Sequence, residues 1–213
     1  DEVRRTWVEK FGIRILEGYG ATECAPVLAV NTPMTYKTGT VGPLLPGLAP
    51  KLEEVPGITN GGLLSVRGPN VMLGYYLFDN PGILKPPVDG WYSTGDIVDI
   101  DHEGFITIKG RVKRFAKVAG EMVSLETVEK IATQASPNAQ HAASTQVDAQ
   151  RGENIVLFTT DAKLAKDALQ AAAKQLGAPE LAIPKKIVAV EAIPLLGTGK
   201  TDYVKLKEMA EQA

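Results

Sequence analysis

The sequence predicts an α+β fold in two units, the first rich in antiparallel strands and the second a compact mixture of helices and strands. Up to about residue 111, glycine and proline punctuate short β-like runs, and DIVDI and FITIKG read as two alternating strands joined by a turn at residues 101–104. Beyond residue 111, amphipathic helical patterns alternate with short strands. We therefore expect an antiparallel, β-barrel-like sheet in residues 1–112 and a small α+β domain in residues 113–213.

In the first unit, residues 2–10 carry a helical pattern that we expect to end near Gly12. The segment IRILEGYG, residues 13–20, then predicts a short buried strand that runs into a glycine turn. Residues 63–66 predict another strand, and residues 94–111 predict the hairpin.

In the second unit, Ser124 is a suitable N-cap for a helix with one apolar face, formed by Leu125, Val128, Ile131 and Ala132. Strands are expected at residues 141–147, 154–160 and 187–190. Between them, we expect Asp161 to cap a helix that ends at Gly177 and whose apolar face is formed by Leu164, Ala168, Ala172 and Leu176. A final helix is expected to begin near Asp202.

Composition narrows the functional classes. The 213 residues are 44% hydrophobic and carry a net charge of only −2, so no basic field favours nucleic acid. The single cysteine, Cys24, excludes a disulfide framework and is expected to be a buried small apolar residue. No apolar stretch approaches the roughly 20 residues that span a bilayer. The first residues are charged and begin in mid-pattern, so we expect a fragment or a cleaved product rather than a signal peptide.

The segment GYGATE, residues 18–23, combines glycines with side chains suited to a nucleotide. Its glycines allow a ligand to approach the backbone closely. Tyr19 offers a flat face to a purine, Thr22 a hydroxyl to a phosphate, and Glu23 an oxygen ligand to Mg²⁺. A strand-to-loop turn with a capping glutamate is the alternative interpretation.

The segment YSTGD opens the predicted hairpin with Asp96, whose carboxylate could accept hydrogen bonds from both hydroxyls of a ribose. Arg111 follows at the far end of the hairpin, 111 − 96 = 15 positions later, where it could meet the same ligand. A turn aspartate and a surface ion pair remain the alternatives for these two residues.

Two lysine-bearing segments lie in or next to the second unit. GRVKRFAKVAGEMVS, residues 110–124, places several cations at the predicted boundary, where a solvated linker is the alternative. PLLGTGKTD, residues 194–202, carries Lys200 on a glycine-rich loop that could deliver its charge to an anion. That loop lacks the spacing of a Walker motif, and a loop lysine before a helix is the alternative.

Taken in order, these segments resemble the adenylate-forming superfamily of acyl-CoA synthetases, luciferases and peptide-synthetase adenylation domains. GYGATE is similar to its YGxTE segment, GGLLSVRGPNVMLGYY to its GEL…G…GY segment, and YSTGD to its (Y/W)xTGD segment. GRVKRFAKVAGEMVSLETVE resembles GRxxDxIKxxGxxVxPxEIE, and PLLGTGKTD resembles PxTxxGKxx. The sequence departs from the pattern at Arg114, which replaces an acid, and it contains no STGTTGxPK-like phosphate loop.

The resemblance implies that residues 1–112 are the C-terminal end of a large AMP-binding domain and that residues 113–213 are a mobile lid domain. It implies ATP or AMP and Mg²⁺ as cofactors, with Glu23 as the metal ligand. It also implies a hinge at Lys113, adenylation assisted by Lys200, and a role of Lys117 in thioester formation. The nucleotide pocket would be formed by Gly18, Tyr19, Gly20, Ala21, Thr22, Asp96, Ile108 and Arg111.

Segments such as LEGYGATECAPV and PLLGTGKTDY are most similar to the synthetase portion of the bacterial bifunctional acyl-acyl-carrier-protein synthetase/2-acylglycerophosphoethanolamine acyltransferase family. That resemblance implies ATP-dependent fatty-acid activation, transfer to the thiol of acyl carrier protein, and lysophospholipid reacylation on the cytoplasmic side of the bacterial inner membrane. Two alternatives are an acyl-CoA synthetase that uses coenzyme A and a non-catalytic module that binds nucleotide or carrier protein. We expect the fragment alone to be inactive.

Overall fold

The computed structural model describes residues 2–148 and 152–213, which fall into two compact units, Asp1–Val112 and Lys113–Ala213. The described helices are α1 Glu2–Phe11, α2 Leu125–Ala135, α3 Lys166–Leu176 and α4 Tyr203–Gln212. The strands of the first unit are β1 Gly18–Gly20, β2 Val27–Val30, β3 Ala49–Glu53, β4 Gly62–Arg67, β5 Tyr75–Tyr76, β6 Leu84–Lys85, β7 Tyr92–Ile100 and β8 Ile106–Arg111. Those of the second unit are β9 Phe115–Val118, β10 Glu121–Ser124, β11 His141–Asp148, β12 Gly152–Thr159 and β13 Lys186–Ala189. The α+β prediction is confirmed.

The first helix ends where the sequence predicts. Gly12 has φ +64°, and its N–H donates to the Val8 carbonyl at 3.0 Å. The strand predicted over residues 13–20 is wrong in extent, because only Gly18–Gly20 is a strand and Ile13 is 50% exposed. The physical reason is that β2, the antiparallel partner of β1, is only four residues long and pairs no residue before Gly18.

The main sheet of the first unit is antiparallel and open, in the order β3-β4-β7-β8, so the barrel-like curvature that we expected does not close within the described residues. The predicted hairpin is present as β7 and β8. Its turn is stabilised by Asp101, whose Oδ1 accepts the N–H groups of Glu103 at 3.0 Å and Phe105 at 2.9 Å. The sheet contributes Leu64, Val66, Val98 and Ile106 to a buried cluster that also includes Leu28 of β2.

The second unit is built on a sheet in the order β10-β9-β12-β11, and β13 runs parallel to β12. Helix α2 buries the face that the sequence predicts, formed by Leu125, Val128, Ile131 and Ala132. Helix α4 begins after Asp202, which accepts hydrogen bonds from the N–H groups of Val204 and Lys205 at 3.1 and 3.0 Å. In the described part of the chain, the helices are too short or too polar to cross a bilayer.

Helix α3 differs from the prediction at its start and in its buried face. Asp161 is not its cap, because the helix begins at Lys166 and the Asp161 carboxylate instead accepts the N–H of Lys163 at 2.9 Å in a preceding turn. The buried face is formed by Leu169, Ala172 and Ala173. Of the predicted face, Leu164 precedes the helix, and Ala168 and Leu176 are exposed. The predicted end is confirmed, since Gly177 adopts the left-handed conformation with φ +63°.

Candidate active site

The centre of the candidate site is the carboxylate of Asp96, which two side chains hold from opposite oxygens. Tyr19 donates its hydroxyl to Oδ2 at 2.6 Å, and the Arg111 Nε lies 2.9 Å from Oδ1. The Asp96 side chain is 7% exposed, whereas that of Arg111 is 65% exposed. A carboxylate offers about four lone-pair directions, so it can accept further hydrogen bonds from a ligand.

The hairpin explains why Asp96 and Arg111 meet. They are directly opposed in the register of β7 and β8, as cross-strand neighbours on one face are. Thr94 fixes the backbone of β7 next to Asp96. Its hydroxyl donates to the Leu64 carbonyl at 2.9 Å and accepts the Asp96 N–H at 3.1 Å. The proximity inferred from the spacing of Asp96 and Arg111 is therefore observed.

Tyr19 has a role that the sequence did not indicate. Its side chain is almost buried, and its hydroxyl orients Asp96. Burial, followed by the hydrogen bond to Asp96, raises the pKa of Tyr19 well above its usual value, so the phenol remains a donor beyond the pH at which an ordinary tyrosine ionises. Stacking of its ring against an adenine stays a prediction.

The glycine at position 20 is required by a close approach of two backbone segments. A Cβ atom built on Gly20 would lie 2.2 Å from the Pro26 carbonyl oxygen. The same carbonyl accepts the Ala21 N–H at 2.8 Å and so closes the turn that carries Thr22 and Glu23. Gly18 is less constrained, since its Cβ would meet the Ala29 carbonyl oxygen at 3.4 Å.

Glu23 is half-buried in a short 3-10 turn, with its Oε1 accepting the Tyr75 hydroxyl at 2.7 Å. This hydrogen bond is the largest cause that lowers the pKa of Glu23, and the Arg111 charge makes a smaller contribution in the same direction. Thr22, its neighbour, is exposed. In the described ranges, no cluster of three metal-ligating side chains occurs. A single ionised carboxylate fits Mg²⁺ that is otherwise held by water and substrate phosphates.

The remaining predicted residue of this unit, Ile108, lies on β8 opposite Val98 and is 40% exposed. Its apolar side chain is therefore accessible on the same hairpin as Asp96 and Arg111.

The three predicted lysines lie in the second unit and are all exposed. Lys113 is its first residue, within a 3-10 turn at residues 112–114. Lys117 is on β9 opposite Met122, and its backbone N–H donates to Glu153 at 2.7 Å. Lys200 closes a compact turn before α4, because its carbonyl accepts the Leu196 N–H at 2.7 Å.

Two site residues were missed. Tyr75 contacts Glu23, and the pKa of Tyr92 is raised by burial and then by the charge of Glu23. Both also line a pocket of about 330 Å³, together with Met72 and Trp91. Tyr75 belongs to the GYY end of a segment that resembled the superfamily pattern, and that aromatic pair was the available signal.

The chain is similar to known proteins over nearly its whole length. Residues 1–76 match the family model of AMP-binding enzymes. Across 98% of its length, the chain is 34% identical to a long-chain-fatty-acid–CoA ligase of Salmonella typhimurium and to another of Escherichia coli O157:H7. The crystal structure of ATP-bound MatB from Rhodopseudomonas palustris superposes with a TM-score of 0.75 and 27% identity, over 98% of this chain and 43% of that one. The chain belongs to the AMP-binding, adenylate-forming enzyme family.

The chain spans about 38% of the length of the two fatty-acid ligases. Bacillus subtilis MenE in complex with ATP and magnesium superposes with a TM-score of 0.74 over 93% of this chain and 42% of that one. At 24% identity, MenE supports the fold alone.

Proposed function

We propose that this chain is part of a ligase that activates fatty acids. In the first half-reaction, a fatty-acid carboxylate attacks the α-phosphorus of ATP, so that an acyl–phosphate bond forms and pyrophosphate leaves. In the second, a thiol attacks the acyl carbon, loses its proton and displaces AMP. Residues 1–112 would provide the ribose and phosphate side of the site, and residues 113–213 would be a lid that provides Lys200.

The observation that carries this proposal is the convergence of Tyr19 and Arg111 on Asp96. A carboxylate held at both oxygens is preorganised as an acceptor for two neighbouring hydroxyls, which is the chemistry of a ribose. The Salmonella and Escherichia relatives are long-chain-fatty-acid–CoA ligases, which supports a long-chain fatty acid as the carboxylate substrate.

The other residues take roles that follow from their chemistry. Glu23 would hold Mg²⁺, and Thr22 would donate its hydroxyl to the α-phosphate. Bound Mg²⁺ would supply positive charge for the pentavalent transition state. Lys200 would add an ammonium group on the leaving side, because a point charge on an exposed turn can reach an anion without a fixed geometry. Lys113 would be the pivot between the two half-reactions, and Lys117 would serve the second one.

Two thiols are candidate acceptors, and a different observation supports each of them. Segments such as LEGYGATECAPV resemble the acyl-acyl-carrier-protein synthetases, whose product serves lysophospholipid reacylation. The relatives named above are coenzyme A ligases, which favours coenzyme A. Incubation of the acyl-adenylate-forming enzyme with both acceptors, followed by mass spectrometry, separates the two: an acylated phosphopantetheine protein supports the first, and acyl-CoA supports the second.

The proposal is tested first on nucleotide binding by this chain, measured by calorimetry with AMP. Asp96→Asn should weaken binding at least about tenfold, because a charge-assisted acceptor is lost. The matched control is Asp99→Asn on the same strand, where the carboxylate is 42% exposed and 3.8 Å from Lys109. Binding that is lost equally in both variants, or absent in the unaltered chain, would contradict the ribose site.

Adenylation itself is tested by pyrophosphate exchange with a long-chain fatty acid. The sequence contains no STGTTGxPK-like loop, so we propose that the chain alone is silent. A chimera that joins the chain to the preceding part of the Salmonella ligase should exchange, and its Lys200→Ala variant should lose most of that rate. Lys205→Ala, on the exposed face of α4, is the control and should retain it. A chimera that binds AMP but exchanges with no carboxylate would favour a non-catalytic binding module.

A further inference from the structure

Glu23 and Tyr75 are brought together by two hydrogen bonds between segments that are 52 positions apart. The Tyr75 hydroxyl donates to Glu23 Oε1 at 2.7 Å, and the Met72 N–H donates to the Glu23 carbonyl at 2.8 Å. Tyr75 itself is fixed by β5, where it pairs with Lys85 of β6. The hydrogen bond from Met72 to the Glu23 carbonyl holds the two segments together, and the Tyr75 hydroxyl then binds the Glu23 carboxylate.

Tyr75 is not buried deeply enough to require a protein partner for its hydroxyl. The side chain is 45% exposed, so its phenol could be hydrated equally well. A neutral donor on one oxygen stabilises the ionised carboxylate and still leaves lone pairs for a cation.

We propose that Tyr75 is a positioning residue for Glu23: its hydroxyl fixes the carboxylate in one orientation and stabilises its charge for the divalent cation that accompanies ATP. The inference rests on the proposed function, because it presumes that Glu23 holds Mg²⁺. Tyr75 touches neither ATP nor the metal in this role. It acts through Glu23, as the outer partners of metal-binding carboxylates do.

The test compares Tyr75→Phe with Tyr76→Phe. Tyr76 is the next residue of β5, is 70% exposed, and has no hydrogen-bond partner for its hydroxyl among the described residues. Both changes remove one phenol oxygen and keep the ring, so general disturbance of the β5–β6 hairpin should affect them similarly. Thermal melting of each variant checks that the fold persists.

The first readout needs no catalysis. Carboxyl ¹³C NMR of the chain, labelled at glutamate, reports the surroundings of the Glu23 carboxylate at one fixed neutral pH. In Tyr75→Phe its resonance should move because the hydroxyl donor is lost, and in Tyr76→Phe it should stay where it is in the unaltered chain. An unmoved resonance in Tyr75→Phe, or the same change in both variants, would overturn the coupling.

The second readout is the magnesium concentration that gives half-maximal ATP binding to the chain. We expect Tyr75→Phe to raise it about 5- to 10-fold, with binding restored at saturating Mg²⁺, since one hydrogen bond to a charged group is lost. Tyr76→Phe should leave it unchanged. Unaltered magnesium dependence in Tyr75→Phe sinks the positioning role while the proposed function stands. If the unaltered chain shows no magnesium-dependent ATP binding, the metal role of Glu23 fails and the positioning role fails with it.

Discussion

Arg114 occupies a position where the superfamily pattern has an acid, and its contacts predict a large contribution to the stability of the second unit. Its Nη2 lies 2.6 Å from Glu129 Oε1, and its Nη1 donates to the Ala143 carbonyl at 2.8 Å. The guanidinium also lies 3.7 Å from the centre of the Tyr203 ring. The side chains of the ion pair are only 12% and 19% exposed. Arg114 therefore connects the beginning of the unit to α2, β11 and α4.

The perturbation is Arg114→Met, which keeps much of the length of the side chain and removes its charge. Glu129 would retain the Ala143 N–H, which lies 2.8 Å from Oε1, but would lose its cation. Removal of one partner from a buried pair costs about 3–5 kcal/mol, and the partial exposure here favours the lower end. Loss of the contact with Tyr203 adds about 0.5–1 kcal/mol. We expect a total of about 3–4 kcal/mol.

Hydrogen exchange is the suitable assay because the chain has two units and a single unfolding transition cannot be assumed. The slowest amides of β11 and β12 should exchange at least about 100-fold faster in Arg114→Met, as a change of about 3 kcal/mol requires. The control Lys205→Met breaks the pair with Glu208, whose side chains are 58% and 57% exposed, and should have little effect.

A second variant tests the cause. If the cost arises from a carboxylate left without its cation, Glu129→Gln in the Arg114→Met background should recover part of the stability. Exchange in Arg114→Met that matches the Lys205→Met control would refute the reasoning. So would a double variant that is less stable than Arg114→Met by the full cost of Glu129→Gln alone, because the two effects would then be independent.

Three other substitutions test how the site and helix α4 are stabilised. Tyr19→Phe should destabilise the first unit by about 2 kcal/mol in urea unfolding, because Asp96 loses a buried donor. Since the fold raises the pKa of Tyr19, this contribution is complete below about pH 10 and declines as pH rises further, so the difference from the unaltered chain should shrink there. Gly20→Ala places a Cβ 2.2 Å from a backbone carbonyl oxygen and should cost about 1–3 kcal/mol, whereas Gly197→Ala, with open space around it, should be nearly neutral in the same assay. Asp202→Ala removes the cap of α4 and should lower thermal stability by about 1 kcal/mol, measured by calorimetry.

Elements that depend on interactions between residues close in sequence could be predicted from local sequence patterns. The alternation of DIVDI and FITIKG around a polar turn predicted the β7–β8 hairpin, and with it the opposition of Asp96 and Arg111. Helix α2 was predicted for the same reason, because its apolar spacing matches its buried face. The start of α3 was wrong because an aspartate that caps a turn and one that caps a helix look alike in sequence, and only the path of the chain after Asp161 distinguishes them.

Contacts between distant segments could not be predicted in this way. The bond from Tyr19 to Asp96 joins residues 77 positions apart, on strands of two different sheets. No periodicity specifies such a meeting, so the sequence indicated a stacking ring and left the hydroxyl without a role.

Asp96 and Glu23 show how one unit can give two carboxylates different chemistry. Each accepts a tyrosine hydroxyl, at 2.6 Å for Asp96 and 2.7 Å for Glu23. Asp96 is buried and also paired with Arg111, so its charge is compensated and its remaining lone pairs suit neutral hydroxyl donors. Glu23 forms no ion pair with the described residues, and its phenol partner is neutral, so its negative charge stays available to a cation. On the proposed function, the cation beside Asp96 and its absence beside Glu23 would separate a sugar-binding acid from a metal-binding one. This argument requires that Arg111→Gln weaken AMP binding while it leaves the magnesium dependence of ATP binding largely intact.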